Sequence, residues 1–113
     1  MIQECCDHSQ TVEKVKKTLI CDETLYDVAE LFKAFADTTR IKIISVLKEQ
    51  ELCVGAISEL INVSQSAVSH QLRALKASKI VKPRREGKQI FYSLDDEHIA
   101  KIFYMGLEHI TKG

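Results

Sequence analysis

The sequence is poor in chain breakers: its 113 residues include one proline and four glycines. That leaves little material for the many tight turns of an all-β fold and favours helices. No apolar run approaches the roughly 20 residues needed to cross a bilayer, so no membrane partner is expected. The opening segment, MIQECCDHSQ, has neither a basic n-region nor an apolar h-region. It is therefore not read as a secretory signal, and the expected compartment is the cytoplasm. In that setting the four cysteines, at positions 5, 6, 21 and 53, are expected as thiols rather than disulfides. The second half of the chain holds none of them, a poor frame for stapling a fold. Also missing are an HExxH motif, a glycine-rich phosphate loop and any nucleophile–base–acid set at a recognisable spacing. The chain is thus not expected to be an enzyme, and no small organic substrate is expected.

Net charge is absent too, with 16 basic and 16 acidic residues, but the charge is unevenly spread. Residues 64–92 carry seven basic side chains (Arg73, Lys76, Lys79, Lys82, Arg84, Arg85, Lys88) against the single acid Glu86. Residues 1–30 reverse the balance, with seven acidic against three basic. A basic segment on an otherwise acidic chain is the footprint of phosphate binding, although a solvated cationic face would look the same by charge alone.

The length suits one domain. Residues 1–22 are polar and mixed, with a short apolar pattern at Val12, Val15 and Leu19. They read as an N-terminal arm, with at most a brief helix, ahead of a domain over 23–113. Within the domain, a 3.6-residue period predicts helices over 24–35 and 38–48, the second capped by Asp37, with Ile41, Ile44, Val46 and Leu47 turned inward. A third helix is expected over 54–61. After the turn Asn62-Val63-Ser64, a fourth covers 65–78 and buries Val68, Leu72 and Leu75. The period then changes. Ile80-Val81 and Ile90-Phe91-Tyr92 read as two strands around a basic tip, residues 84–88. A final helix over 96–110 closes the chain. The class is mainly α with a small β hairpin, a winged helix-turn-helix in the order α-α-α-α-β-β-α.

A duplex major groove admits one α-helix, whose first residues reach base edges while basic groups hold phosphates. The fourth helix presents Gln65, Ser66, Ser69, His70, Gln71 and Arg73, polar groups able to donate and accept. Arg84, Arg85 and Lys88 on the wing suit phosphate or the minor groove. A helical adaptor would more naturally expose aromatics or leucines there.

These segments resemble the ArsR/SmtB family of bacterial metal-sensing repressors. The resemblance runs through LFKAFADTTR at 31–40, ELCVG at 51–55 and SQSAVSHQL at 64–72. It continues through REGK at 85–88, FYSL at 91–94 and DEH at 96–98. One register covers about residues 24–110. The resemblance implies a homodimer built on the first and last helices, double-stranded operator DNA of two-fold symmetry, and release of that DNA on binding metal.

It also implies two metal sites, each with a gap. Many members carry zinc on the last helix through an Asp-x-His pattern, a second His and a fourth ligand. Asp96, His98 and His109 match, and Lys112 stands in the fourth position. Residues 98 and 109 share a face but lie about 16 Å apart along an ideal helix. Two antiparallel copies would therefore be needed to place Asp96 and His98 of one subunit beside His109 of the other. Water or Glu108 would complete the tetrahedron that Zn(II) prefers. In the branch that senses Cd(II) or Pb(II), a Cys-Val-Cys joins arm cysteines of the other subunit. This sequence keeps Cys53 but has Gly55 at the second position, while the arm offers Cys5 and Cys6. Thiolates select soft metals. The alternative function on the same fold is a repressor released by cysteine oxidation instead of metal.

Overall fold

The computed structural model describes residues 8–112. Helix α1 (Ser9–Lys16) is followed by α2 (Asp22–Phe35) and α3 (Thr38–Leu47), then by a two-residue strand β1 (Leu52–Cys53). Next come α4 (Val54–Ile61), α5 (Gln65–Ala77), the strands β2 (Val81–Glu86) and β3 (Gln89–Leu94), and α6 (Glu97–Thr111).

Side-chain caps set the starts of three helices. Asp37 accepts from the Arg40 amide at 3.1 Å, Ser64 from the Ala67 amide at 3.2 Å, and Asp96 from the His98 amide at 2.8 Å. Each satisfies an amide that a helix start otherwise leaves unpaired. Helix α4 ends at Asn62, whose φ of 59° is left-handed, and the Val63 amide closes back on the Ser58 carbonyl at 3.3 Å. Helix α5 ends the same way, with Lys79 at φ 60° and Ile80 bonded to the Leu75 carbonyl at 2.9 Å. Such closures stop one helix and aim the next segment in a fixed direction. The turn from α4 into α5 is thereby rigid, and Ser58 Oγ donates to the Val63 carbonyl to hold it further.

The core gathers Ala34 of α2, Ile43, Ile44 and Leu47 of α3, Ile57 of α4, and Val68, Leu72 and Leu75 of α5. Ile80, Val81 and Ile99 complete it. Among the described residues no polar or charged side chain is buried. Helix α3 departs from the expectation: Ile43 is fully buried, while Ile41 and Val46 are half-buried. The reason is that α3 is packed by α2, α4, α5, α6 and β3, so no single stripe marks its inward face.

The sheet also differs. It has three strands in the order β1-β3-β2, both pairings antiparallel, where only a hairpin was expected. Two residues carry no periodicity, so β1 left no signal in the sequence. Strands β2 and β3 run on to a two-residue loop, Gly87-Lys88, so Arg84 and Arg85 lie within β2 and not at the tip. Gly87, at φ 61°, takes the first position of a type II′ turn, which favours glycine. An exposed ribbon has no apolar face to betray its length.

Helices α1, α2 and α6 are only partly covered. Leu25, Val28 and Phe32 of α2 are exposed, as are Met105, Leu107 and Ile110 of α6. The radius of gyration is 19.6 Å, against about 13 Å for a compact domain near this length.

Candidate nucleic-acid interface

In α5 the residues Val68, Leu72 and Leu75 fall on the core side, which turns Ser66, His70, Arg73 and Lys76 outward. Gln65 is exposed in the first turn, and Ser69 is half-buried at the edge of this face. Gln71 sits differently. Between Val68 and Leu72 on the inner shoulder, it is half-buried, and its Oε1 accepts from Arg40 Nε at 2.8 Å. That bond ties α3 to α5. In the sequence Arg40 stands out only as part of a motif, because a contact 31 residues away has no local signature.

The ribbon separates its two arginines. Arg84 Nε donates to both Glu51 oxygens at 3.1 Å, Nη2 to Glu51 Oε1 at 2.6 Å and Nη1 to Glu86 Oε1 at 2.9 Å. Its guanidinium carbon also lies 5.2 Å from the Phe91 ring centroid. These hydrogen bonds hold the Glu51 carboxyl below its ordinary range and push the Arg84 guanidinium further up. Arg85 instead lines a cleft of about 290 Å³ with Lys76, Pro83, Ile90 and Tyr92. Lys88, in the turn, is exposed beside Gly87.

The candidate metal ligands occupy two places. Asp96 caps α6, and its Oδ1 lies 3.4 Å from His98 Nδ1, with both side chains in solvent. Burial pushes the Asp96 carboxyl up, but the hydrogen bonds from His98 and the Ile99 amide, with the nearby His98 charge, together turn the net shift downward. Capping uses one oxygen of a group with about four acceptor positions, so coordination by Asp96 stays open. His109 is exposed in the last turn of the same helix. Lys112 is its C-cap. Among the described residues no three His, Cys, Asp or Glu side chains converge in a way that would hold an ion. Asp96 and His98 set an oxygen and an imidazole side by side, donors of the kind that metals such as zinc take, while His109 stands in the last turn of the helix. Cys53 is half-buried at the start of α4, opening on a cleft of about 380 Å³ with Val54, Gly55, Lys88, Gln89 and Ile90. Cys5 and Cys6 lie outside the described residues. Cys21 is exposed, 3.2 Å from the Thr24 hydroxyl, which with the Thr24 amide draws its thiol below the ordinary value.

A rigid helix-turn-helix whose outer face is polar, flanked by a basic antiparallel ribbon, defines a winged helix-turn-helix DNA-binding domain. Residues 37–82 match the family described as bacterial regulatory protein, arsR family. The chain is 38% identical to the transcriptional repressor SmtB homolog of Synechocystis over 105 residues, spanning 93% of this chain and 80% of that one. It is 41% identical to the cadmium resistance transcriptional regulatory protein CadC homolog of Staphylococcus aureus, spanning 96% of this chain and 93% of that one. Its fold superposes, with a TM-score of 0.73 and 30% identity, on a homodimeric winged helix-turn-helix DNA-binding domain from Mycobacterium bovis, covering 83% of this chain and 94% of that one. The chain belongs to the arsR family of bacterial transcriptional regulators.

Proposed function

We propose that this chain is a cytoplasmic, homodimeric transcriptional repressor that binds double-stranded operator DNA and releases it on binding a metal ion. The observation that carries the reading is the juxtaposition of a polar α5 face with a basic β2–β3 ribbon on a rigid turn. Gln65, Ser66, Ser69 and His70 offer hydrogen-bonding groups to base edges, while Arg73, Arg85 and Lys88 face phosphates. Two copies are required for two reasons. The apolar faces of α2 and α6 are left in solvent by one chain, and a two-fold dimer sets its recognition helices about 34 Å apart, one turn of DNA.

The relative named for cadmium resistance supports the metal reading, and Zn(II) is the ion we favour on the donor set of α6. Asp96 and His98 of one subunit with His109 of the other supply an oxygen and two imidazoles, a donor set suited to zinc. The thiolate alternative uses Cys53 with Cys5 and Cys6, and would take Cd(II) or Pb(II). Within the dimer the ion would favour an arrangement that no longer matches successive grooves, a coupling of about 1–3 kcal/mol.

The test is a mobility shift on DNA upstream of the chain's own gene, with chelator and with added Zn(II) or Cd(II). Chelated protein should bind, and metal should release it. His98→Ala with His109→Ala should abolish release by zinc, and Cys53→Ser should abolish release by cadmium if the thiolates sense it. Release unchanged in all of these variants would remove both sites. Release by oxidant, with indifference to chelator, would mark a thiol redox sensor instead.

A further inference from the structure

Arginines 84 and 85 are neighbours in sequence, yet a strand sends consecutive side chains to opposite faces. Arg85 faces α5 and lines the cleft with Lys76. Arg84 faces away, opposite Phe91 in the register of β2 and β3. Phe91 is in turn opposite Cys53 in β1, so Arg84, Phe91 and Cys53 form one row across the sheet. Two carboxylates, Glu51 and Glu86, accept hydrogen bonds from the Arg84 guanidinium. The cluster thus carries one positive and two negative charges, and its surplus repels a phosphate. Glu51 lies 33 residues from Arg84, immediately before β1, and β1 leads directly into α4. The forked contact therefore fastens the ribbon to the segment that enters the helix-turn-helix.

We propose that Arg84 is a wing-positioning residue, anchored by Glu51, and that Arg85 with Lys76 holds the DNA phosphate between the wing and the recognition helix. The proposal rests on the DNA-binding reading above and divides the labour between two residues that the sequence makes look alike. The fork and the ring contact demand a planar guanidinium, so lysine cannot replace Arg84 in this role, whereas a phosphate accepts either cation.

Salt dependence of operator affinity separates the two roles, because each phosphate neutralised adds about 0.9 to the slope of log affinity against log salt. Arg85→Ala and Lys76→Ala should each flatten the slope by about that amount. Arg84→Ala, Arg84→Lys and Glu51→Ala should weaken binding by a common factor at unchanged slope, and Arg84→Ala with Glu51→Ala should lose no more than either alone. Amide exchange in the free protein gives a second readout. The β2 and β3 amides should exchange faster in the Arg84 and Glu51 variants and at the normal rate in Arg85→Ala. A flattened slope in Arg84→Ala, normal affinity in Arg84→Lys, or tighter binding by Glu51→Ala would overturn the proposal. Unchanged exchange in Arg84→Ala would do the same. If the unmodified protein binds no DNA, the functional reading fails, and amide exchange still decides whether Arg84 and Glu51 fasten the wing.

Discussion

Replacing Ile110 with Ala should separate dimerisation from folding. In a single chain this residue is 78% exposed, at the rim of an apolar cleft of about 330 Å³ lined by Ile41, Ile102, Phe103, Gly106 and Leu107. The fold of one chain hardly uses it, so the stability of the monomer should change by no more than about 0.5 kcal/mol. In a two-fold dimer the loss is counted twice. The substitution removes three carbons, each worth about 0.8 kcal/mol when buried. Scaled to the residue's 78% exposure, the surface left for a partner to cover, the loss from two copies comes to about 4 kcal/mol. That approaches a thousandfold in the dimer Kd, at about 1.4 kcal/mol per tenfold. Even a hundredfold change would be plain. Sedimentation equilibrium from nanomolar to tens of micromolar protein would measure it, with far-UV circular dichroism confirming that helices persist. A Kd within threefold of the parent would place α6 outside the interface and refute the argument.

Gly55 has no left-handed φ, and a Cβ added there meets only the end of the Gln65 side chain, at 3.7 Å. Gly55→Ala should therefore stabilise the protein by about 0.5 kcal/mol through reduced freedom of the unfolded chain, and a lower denaturation midpoint would contradict that. Cys21 should show its lowered thiol pKa in alkylation kinetics. The thiolate is the reactive form and exists above the pKa, so its rate should reach a plateau at lower pH than an ordinary thiol, and Thr24→Ala should move the curve to higher pH. Peptide-resolved mass spectrometry would follow the site, and an unmoved curve would count against the Thr24 contact. Leu72→Ala, at a fully buried position of α5, should cost about 2–5 kcal/mol by thermal or urea denaturation, and a cost below 1 kcal/mol would place it outside the core.

Much of the helical frame was legible because helices write their own boundaries. Asp37 and Ser64 have the right chemistry for caps, and both cap. Val68, Leu72 and Leu75 recur at the helical period, and all three are buried. Asp96 and His98 were legible as neighbours, since they stand two apart at a helix start and meet there, but among the described residues no third candidate ligand joins them. Where an element answers to several neighbours the pattern blurs. The inward side of α3 was read in part as Ile41 and Val46, when it is Ile43 that reaches the centre.

The sequence by itself determined the order of the helices, the turn between α4 and α5, and the concentration of positive charge after residue 64. All of these follow from interactions within a few residues: caps, periodicity and composition. Only the tertiary structure decided which partners adjacent arginines meet. Arg84 meets Glu51, and Gln71 meets Arg40, across 33 and 31 residues respectively. Strand register and the angle between packed helices choose such partners, and those arise when the whole chain closes on its core.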